Sequence, residues 1–223
     1  MTARYQRKYH GLALFSGGLD SILAVKMIQN QGLEVLGLHF ISPFFGQPEL
    51  IPEWEKNYGL PIMPVDISQD FVKMLLSGPS HGLGKIMNPC LDCKILMLKK
   101  ARQLLQDFQA GFIISGEVSG QRPMSQRRDA LNIIIRDAEV KRFLIRPLSA
   151  KLLPPTEAEE TGLVNRSRLG SISGRGRKKQ LEMAAKMNIH PLPTPAGGCL
   201  LTEMESSRRY LPLLRFFQNP APD

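Results

Sequence analysis

Cysteine is scarce in this chain, with three residues among 223. A small odd number argues against the disulfide framework of a secreted mini-protein. Long hydrophobic runs are missing as well, so no stretch reads as a membrane-spanning helix. The basic start, Met1 to Lys8, carries no apolar signal-peptide core ahead of the first strand. A cytoplasmic protein is therefore expected, with no membrane partner. No internal repeat points to a solenoid. Acidic residues are in short supply: 20 Asp and Glu face 29 Lys and Arg, a net charge of +9. The excess is uneven, +2 up to residue 115 and +7 from residue 116 onward. Such a basic later half suits an anionic macromolecule, RNA first, while a solvated surface that aids solubility is the plain alternative. The hydrophobic fraction of 43% suffices for a real core, and the length suits one large domain or one domain with a small appendage.

Two common phosphate-binding loops are also absent: G-x-x-x-x-G-K-[ST] with its lysine, and G-x-G-x-x-G. In their place stands Ser16-Gly17-Gly18-Leu19-Asp20-Ser21. The apolar run Leu12 to Phe15 before it reads as a buried strand, and Ile22 to Gln29 after it has helical spacing. A strand that turns through small residues into a helix makes an anion site. Adjacent glycines let backbone N–H groups approach an oxyanion, and the helix start adds unpaired N–H groups and a positive dipole end. Ser16 and Ser21 offer hydroxyls, and Asp20 could hold Mg²⁺ against a phosphate.

The chain beyond keeps a strand–helix rhythm. Strands are expected at Val35–Phe40, Ile62–Asp66, Gly111–Ser115 and Phe143–Ile145. Helices are expected at Glu49–Tyr58, Phe71–Leu76, about Cys90–Asp107 and Ser125–Asp137. This alternation predicts an α/β fold, a doubly wound parallel sheet of about five strands covered on both faces. His39 and Phe40 fall at a strand end, where ligands of such sheets bind; a satisfied, partly buried histidine is the other reading of His39. Gly116 and Gly120, just after the fourth strand, suggest a second loop close to a ligand, with Gln121 beside it. Past Pro147 the rhythm fades. Arg166, Arg168, Arg175, Arg177, Lys178 and Lys179 crowd one stretch and are candidate RNA contacts, or a basic surface loop. Lys178–Met187 looks helical, Pro191–Pro195 extended, and Tyr210–Phe217 helical, with Asn219–Asp223 fraying.

S-G-G-x-D-S resembles the pyrophosphate loop of the PP-loop ATP pyrophosphatases, and within them that of the tRNA thiolation enzymes. Asn88-Pro89-x-x-x-Cys93 is similar to the catalytic cysteine segment of the tRNA 2-thiouridylases. Ser115-Gly116-Glu117-x-x-Gly120-Gln121 followed by Ser125-Gln126 resembles the AMP-contact segment of the 4-thiouridine synthetases, with Pro123 and Met124 as a one-residue excess. Gly198-Cys199 lies where these thiolases carry their second cysteine. The resemblance spans roughly residues 11–205 in short islands. It includes neither the N-terminal RNA-binding module of the 4-thiouridine synthetases nor the C-terminal β-domains of the 2-thiouridylases. It implies an adenine nucleotide hydrolase-like domain over 1–150 and a basic C-terminal extension over 151–223 that completes the site with Cys199.

The resemblance further implies an ATP-dependent sulfurtransferase. Asp20, Cys93 and Cys199 would be catalytic. Ser16, Gly17, Gly18, Asp20, Ser21, His39, Phe40, Gly116 and Gln121 would bind ATP and its pyrophosphate with Mg²⁺. A tRNA base would be the acceptor, with sulfide or a persulfide carrier as sulfur donor and a homodimer as a possible assembly. Cys90 sits three residues before Cys93, unlike the ordinary 2-thiouridylases. C-x-x-C plus one distant cysteine resembles the iron–sulfur-dependent branch, in which three thiolates hold a [4Fe–4S] cluster, here Cys90, Cys93 and Cys199. Other readings stay open. Cys93 and Cys199 would serve cluster-free persulfide chemistry, the C-x-x-C would be a dithiol pair, or zinc would recruit His190 or His81. Outside thiolation, an ATP-dependent amide or C–N ligase and a non-enzymatic nucleotide or cluster sensor use the same pocket.

Overall fold

A computed structural model describes residues 8–84, 87–193 and 198–218. The expected fraying of Asn219–Asp223 and the end of the extended run Pro191–Pro195 fall outside them. Five parallel strands form one sheet: β1 (Gly11–Leu14), β2 (Val35–Ile41), β3 (Ile62–Asp66), β4 (Phe112–Ser115) and β5 (Leu144–Ile145), in the order β3-β2-β1-β4-β5. The expected α/β class and doubly wound parallel sheet are what the structure shows. β1 is central, with Leu12 opposite Leu36 on one side and Ile113 on the other. Its four residues are all buried, as a strand covered on both faces must be. Pro64 lies in β3 at the sheet edge, where its missing N–H leaves no neighbour unpaired.

Side chains alternate along each strand, so one strand serves two cores. Ala13, Phe15, Phe112 and Ile114 face a cluster filled by α1 (Leu19–Gln29) and α2 (Ile51–Tyr58). Leu12, Leu14, Leu36, Leu38 and Ile113 face the opposite cluster, filled by α4 (Cys90–Asp107) and α5 (Arg128–Asp137). A third, smaller cluster joins α3 (Ser68–Leu76) to α8 (Met204–Gln218) through Phe71, Leu75, Leu201 and Leu214. Ile28, fully buried in α1, contributes about 1.5–3 kcal/mol by that burial.

The later chain carries the expected helix as α7 (Lys178–Lys186), and before it a short α6 (Glu157–Glu160) with a capping box between Thr156 and Glu159. Its apolar residues Ala158, Val164, Leu169, Ile172, Ala184 and Ile189 belong to the same core as α1 and α2. The stretch 151–193 is thus packed under the sheet and not merely attached to it.

Several helix starts differ from the sequence reading: α1 begins at Leu19, not Ile22, and α2 at Ile51, not Glu49. α5 begins at Arg128, not Ser125, because Ser125 and Gln126 fold back as a turn: Gly120 N–H donates to the Gln126 carbonyl at 2.7 Å. α3 starts at Ser68, three residues before Phe71. α8 starts at Met204, six residues before Tyr210, and runs through Pro212. A proline near the start of the expected helix fits a first turn, so nothing in the residue pattern extends it backward.

Candidate functional site

The strand order reverses between β1 and β4: connections run outward to β2 on one side and to β5 on the other. A crevice opens at the carboxyl ends of the strands at such a point. Here it is a cavity of about 420 Å³, walled by the loops after β1, β2 and β4, by the start of α4, and by Arg177, Gly198 and Cys199 from the later chain.

The first loop turns as the glycines suggest. Gly17 has φ +75°, and a Cβ there would lie 2.4 Å from the Trp54 ring; only glycine fits under that indole. Gly17 therefore shapes the turn from behind, while Ser16, Gly18, Asp20 and Ser21 face the cavity. Ser21 Oγ donates to the Gly18 carbonyl at 2.7 Å. The first turn of α1 leaves its leading N–H groups to a ligand. Gly116 has a different reason to be small: a Cβ would sit 2.6 Å from the Asp20 carbonyl carbon and the Ser21 nitrogen. The β4 loop is thereby pressed onto the phosphate-type loop. Across that contact, Gln121 Nε2 donates to Asp20 Oδ2 at 2.9 Å. Asp20 Oδ1 is buried and has no hydrogen-bond partner among the described residues. A carboxylate with one oxygen held and the other unpartnered suits Mg²⁺ or a ligand donor.

His39 and Phe40 both line the cavity, but His39 is fully engaged. Its Nδ1–H donates to the Phe15 carbonyl at 3.0 Å and its Nε2 accepts from Gln47 N–H at 2.9 Å. That pairing fixes the neutral tautomer, and burial lowers its pKa further. Its reach toward a nucleotide is through its ring edge, not a free nitrogen.

Cys93 and Cys199 line the cavity, whereas Cys90 does not. All three are free thiols. Burial pushes Cys93 to about 12 and Cys199 to about 11, and Cys90 adds to both shifts. Lys94 opposes the rise at Cys93. Asn88 Nδ2 donates to Cys90 Sγ at 3.5 Å. Among the described residues no three His, Cys, Asp or Glu side chains are arranged to hold a metal ion.

The six basic residues separate. Arg177 faces the cavity. Arg166 is tied inward, to Glu159 and to the carbonyls of Ala150 and Leu153. Arg168 donates to the Asn30 carbonyl at 2.7 Å. Arg175, Lys178 and Lys179 are exposed.

Sequence reasoning gave no separate role to Glu117, Arg146, Lys94 or Gln180. Glu117 is 3% exposed and Arg146 2%. Glu117 Oε2 accepts from Ser115 Oγ at 3.1 Å and from Arg146 Nε at 3.0 Å. Burial alone would raise the Glu117 pKa, but the charges of Arg146 and Lys94 and these hydrogen bonds outweigh it and hold the carboxyl below its usual value. A clue was present: an arginine directly after the apolar run Phe143–Ile145 needs a buried partner. The cavity wall thus carries Lys94, Arg122 and Arg177 against Asp20 and Glu117, an electropositive balance suited to a polyanion.

No protein-family model matches the chain. Two curated proteins are similar to it. A probable tRNA sulfurtransferase of Thermococcus kodakarensis is 26% identical over 145 residues, 61% of this chain and 36% of the relative. The tRNA-specific 2-thiouridylase MnmA of Petrotoga mobilis is 28% identical over 125 residues, 47% of this chain and 34% of the relative. The matched stretch spans about a third of each relative's length. Both names bear out the resemblance to tRNA thiolation enzymes. Among solved structures, one described as a predicted subunit of tRNA methyltransferase from Methanocaldococcus jannaschii is similar, with TM-score 0.48 and 14% identity over 79% of this chain and 75% of that one. NMN synthetase from Francisella tularensis has TM-score 0.39 and 13% identity over 98% and 90%.

Proposed function

We propose that this protein cleaves ATP to AMP and pyrophosphate and uses the resulting adenylate to replace a carbonyl oxygen of a tRNA base with sulfur. One observation carries the reading: the glycine loop, the half-paired carboxylate of Asp20 and two cysteine thiols all face one cavity. The names of the curated relatives support the tRNA substrate.

The base carbonyl oxygen attacks the α-phosphorus and pyrophosphate leaves. The loop N–H groups and the start of α1 take up its charge, and Asp20 would hold the Mg²⁺ that shields it. The base oxygen is then part of an AMP ester, a good leaving group. Cys93 and Cys199 suit a persulfide route. A persulfide sulfur carried by one of them attacks the activated carbon, and the C–O bond to AMP breaks. The other thiolate attacks the inner sulfur, the S–S bond to the product breaks, and a Cys93–Cys199 disulfide remains for a dithiol reductant to reopen. Lys94 already opposes the rise at Cys93, so forming the thiolate requires loss of its proton to a further base or added positive charge, such as that of a bound metal ion, when the substrates bind.

A second form keeps the [4Fe–4S] cluster. Cys90 is near enough to both other thiols to raise their pKa values, but the described side chains do not present a ligand set for a metal. The deciding experiment is anaerobic iron content and tRNA thiolation for Cys90→Ala, Cys93→Ala and Cys199→Ala. The persulfide route expects an active Cys90→Ala protein without iron; equal loss of iron and activity in all three gives the cluster form. Asp20→Ala is expected to cut AMP formation at least about 10²-fold with the fold retained. Wild-type turnover in that variant removes the ATP-cleaving reading itself.

A further inference from the structure

Gln180 is fully buried in α7. Its Nε2 donates to Gln121 Oε1 at 3.3 Å, and Gln121 Nε2 donates in turn to Asp20 Oδ2 at 2.9 Å. The polarity of this series is forced. An ionised carboxylate only accepts, so Gln121 must present its NH₂ to Asp20. Its carbonyl then faces α7, where only a donor can meet it. Gln180 supplies that donor, and its own carbonyl oxygen is buried without a partner among the described residues. An amide that could otherwise rotate by half a turn is locked in the orientation Asp20 needs. α7 packs directly on α1, which bears Asp20 in its first turn. Arg177, the residue before α7, faces the same cavity.

We propose that Gln180 is a positioning residue for the phosphate site. Through Gln121 it fixes one oxygen of Asp20 so that the other is presented to metal-bound pyrophosphate. The inference rests on the ATP reading above and adds a control to it: the basic end of α7, with exposed Lys178 and Lys179 beside Gln180, is mechanically joined to the group that holds the leaving phosphates.

The test is a double-mutant cycle on the full chain, read by calorimetric titration with Mg²⁺–pyrophosphate and by AMP formation, with thermal unfolding as a control on folding. Gln180→Met keeps shape and removes the donor; Gln121→Leu removes the middle of the relay from a half-buried position and serves if Gln180→Met fails to fold. Each single variant is expected to weaken Mg²⁺–pyrophosphate binding about tenfold, and the double variant no further, because the two residues act as one unit. Wild-type affinity in either folded single variant overturns the relay, as does multiplication of the two losses in the double variant. A wild-type protein that binds Mg²⁺–pyrophosphate but forms no AMP refutes the ATP-cleaving reading and leaves the relay standing. One that does not bind it removes both.

Discussion

An ionised Glu117 inside the protein depends on Arg146. Both side chains are almost wholly buried, and each has one polar atom without a partner among the described residues, Glu117 Oε1 and Arg146 Nη2. Replacing one member leaves an uncompensated charge, so we predict that Glu117→Gln lowers unfolding free energy by about 3–5 kcal/mol, measured by urea denaturation. The pH dependence has a definite sign. The folded carboxyl is held below its ordinary value of 4.5. Its contribution is therefore full above that value and is lost as the pH falls through the lower, folded one. The stability difference between wild type and Glu117→Gln should be flat near neutral pH and shrink below about 4.5. A difference that does not depend on acid would remove the ionised assignment. Sequence showed that Glu117 follows a strand but not that its partner, Arg146, directly follows the neighbouring strand β5. Long-range pairing of single residues carries no periodic signal, whereas the glycine turn beside it is written locally.

At the scale of elements, the basic stretch divides into two kinds of residue that look alike as letters. Arg166 fastens α6 to the carbonyls of Ala150 and Leu153, while Arg175, Lys178 and Lys179 hold their charges at the surface around the start of α7. We predict that Arg166→Ala destabilises the fold by about 1–3 kcal/mol, because it strands hydrogen-bond acceptors, and leaves the salt dependence of tRNA binding unchanged. Each of Arg175→Ala, Lys178→Ala and Lys179→Ala should instead keep the melting temperature and reduce the slope of log affinity against log salt by about 1. Filter binding across a salt series checks this; a slope indifferent to all three removes the RNA face from this element. The strands were legible because apolar runs between glycines and prolines have few other uses. Helix starts were less so: Ser125 and Gln126 are acceptable helix residues, and only the hydrogen bond back to Gly120 turns them into a loop.

Over the whole molecule, the sheet order and the placement of the crevice follow from alternating strands and helices, and the sequence carries that alternation plainly up to Pro147. What it did not carry is how deeply the later chain is built in. Ala158, Val164, Leu169, Ile172, Ala184 and Ile189 share the core of α1 and α2, yet they are spread over two short helices and the irregular chain around them with no regular spacing. This has a consequence during translation. Asp20 leaves the ribosome long before Gln180 and Cys199 do. A nascent chain that has emerged only as far as α5 carries the glycine loop, but it lacks the amide that orients Gln121, the second cysteine, and part of the core beneath α1. We predict that ribosome-arrested chains whose emerged part ends at residue 150 are digested by protease as unfolded chains and bind no Mg²⁺–pyrophosphate, while chains carrying a C-terminal linker that brings all 223 residues out of the exit tunnel resist protease and bind it as the free protein does. Protection of the shorter chain would show that the sheet closes without its later half. If this prediction and the proposed ATP cleavage both hold, chain order alone is a safeguard: an unfinished protein would make no adenylate before Cys199, the thiol that completes the pair with Cys93, has arrived.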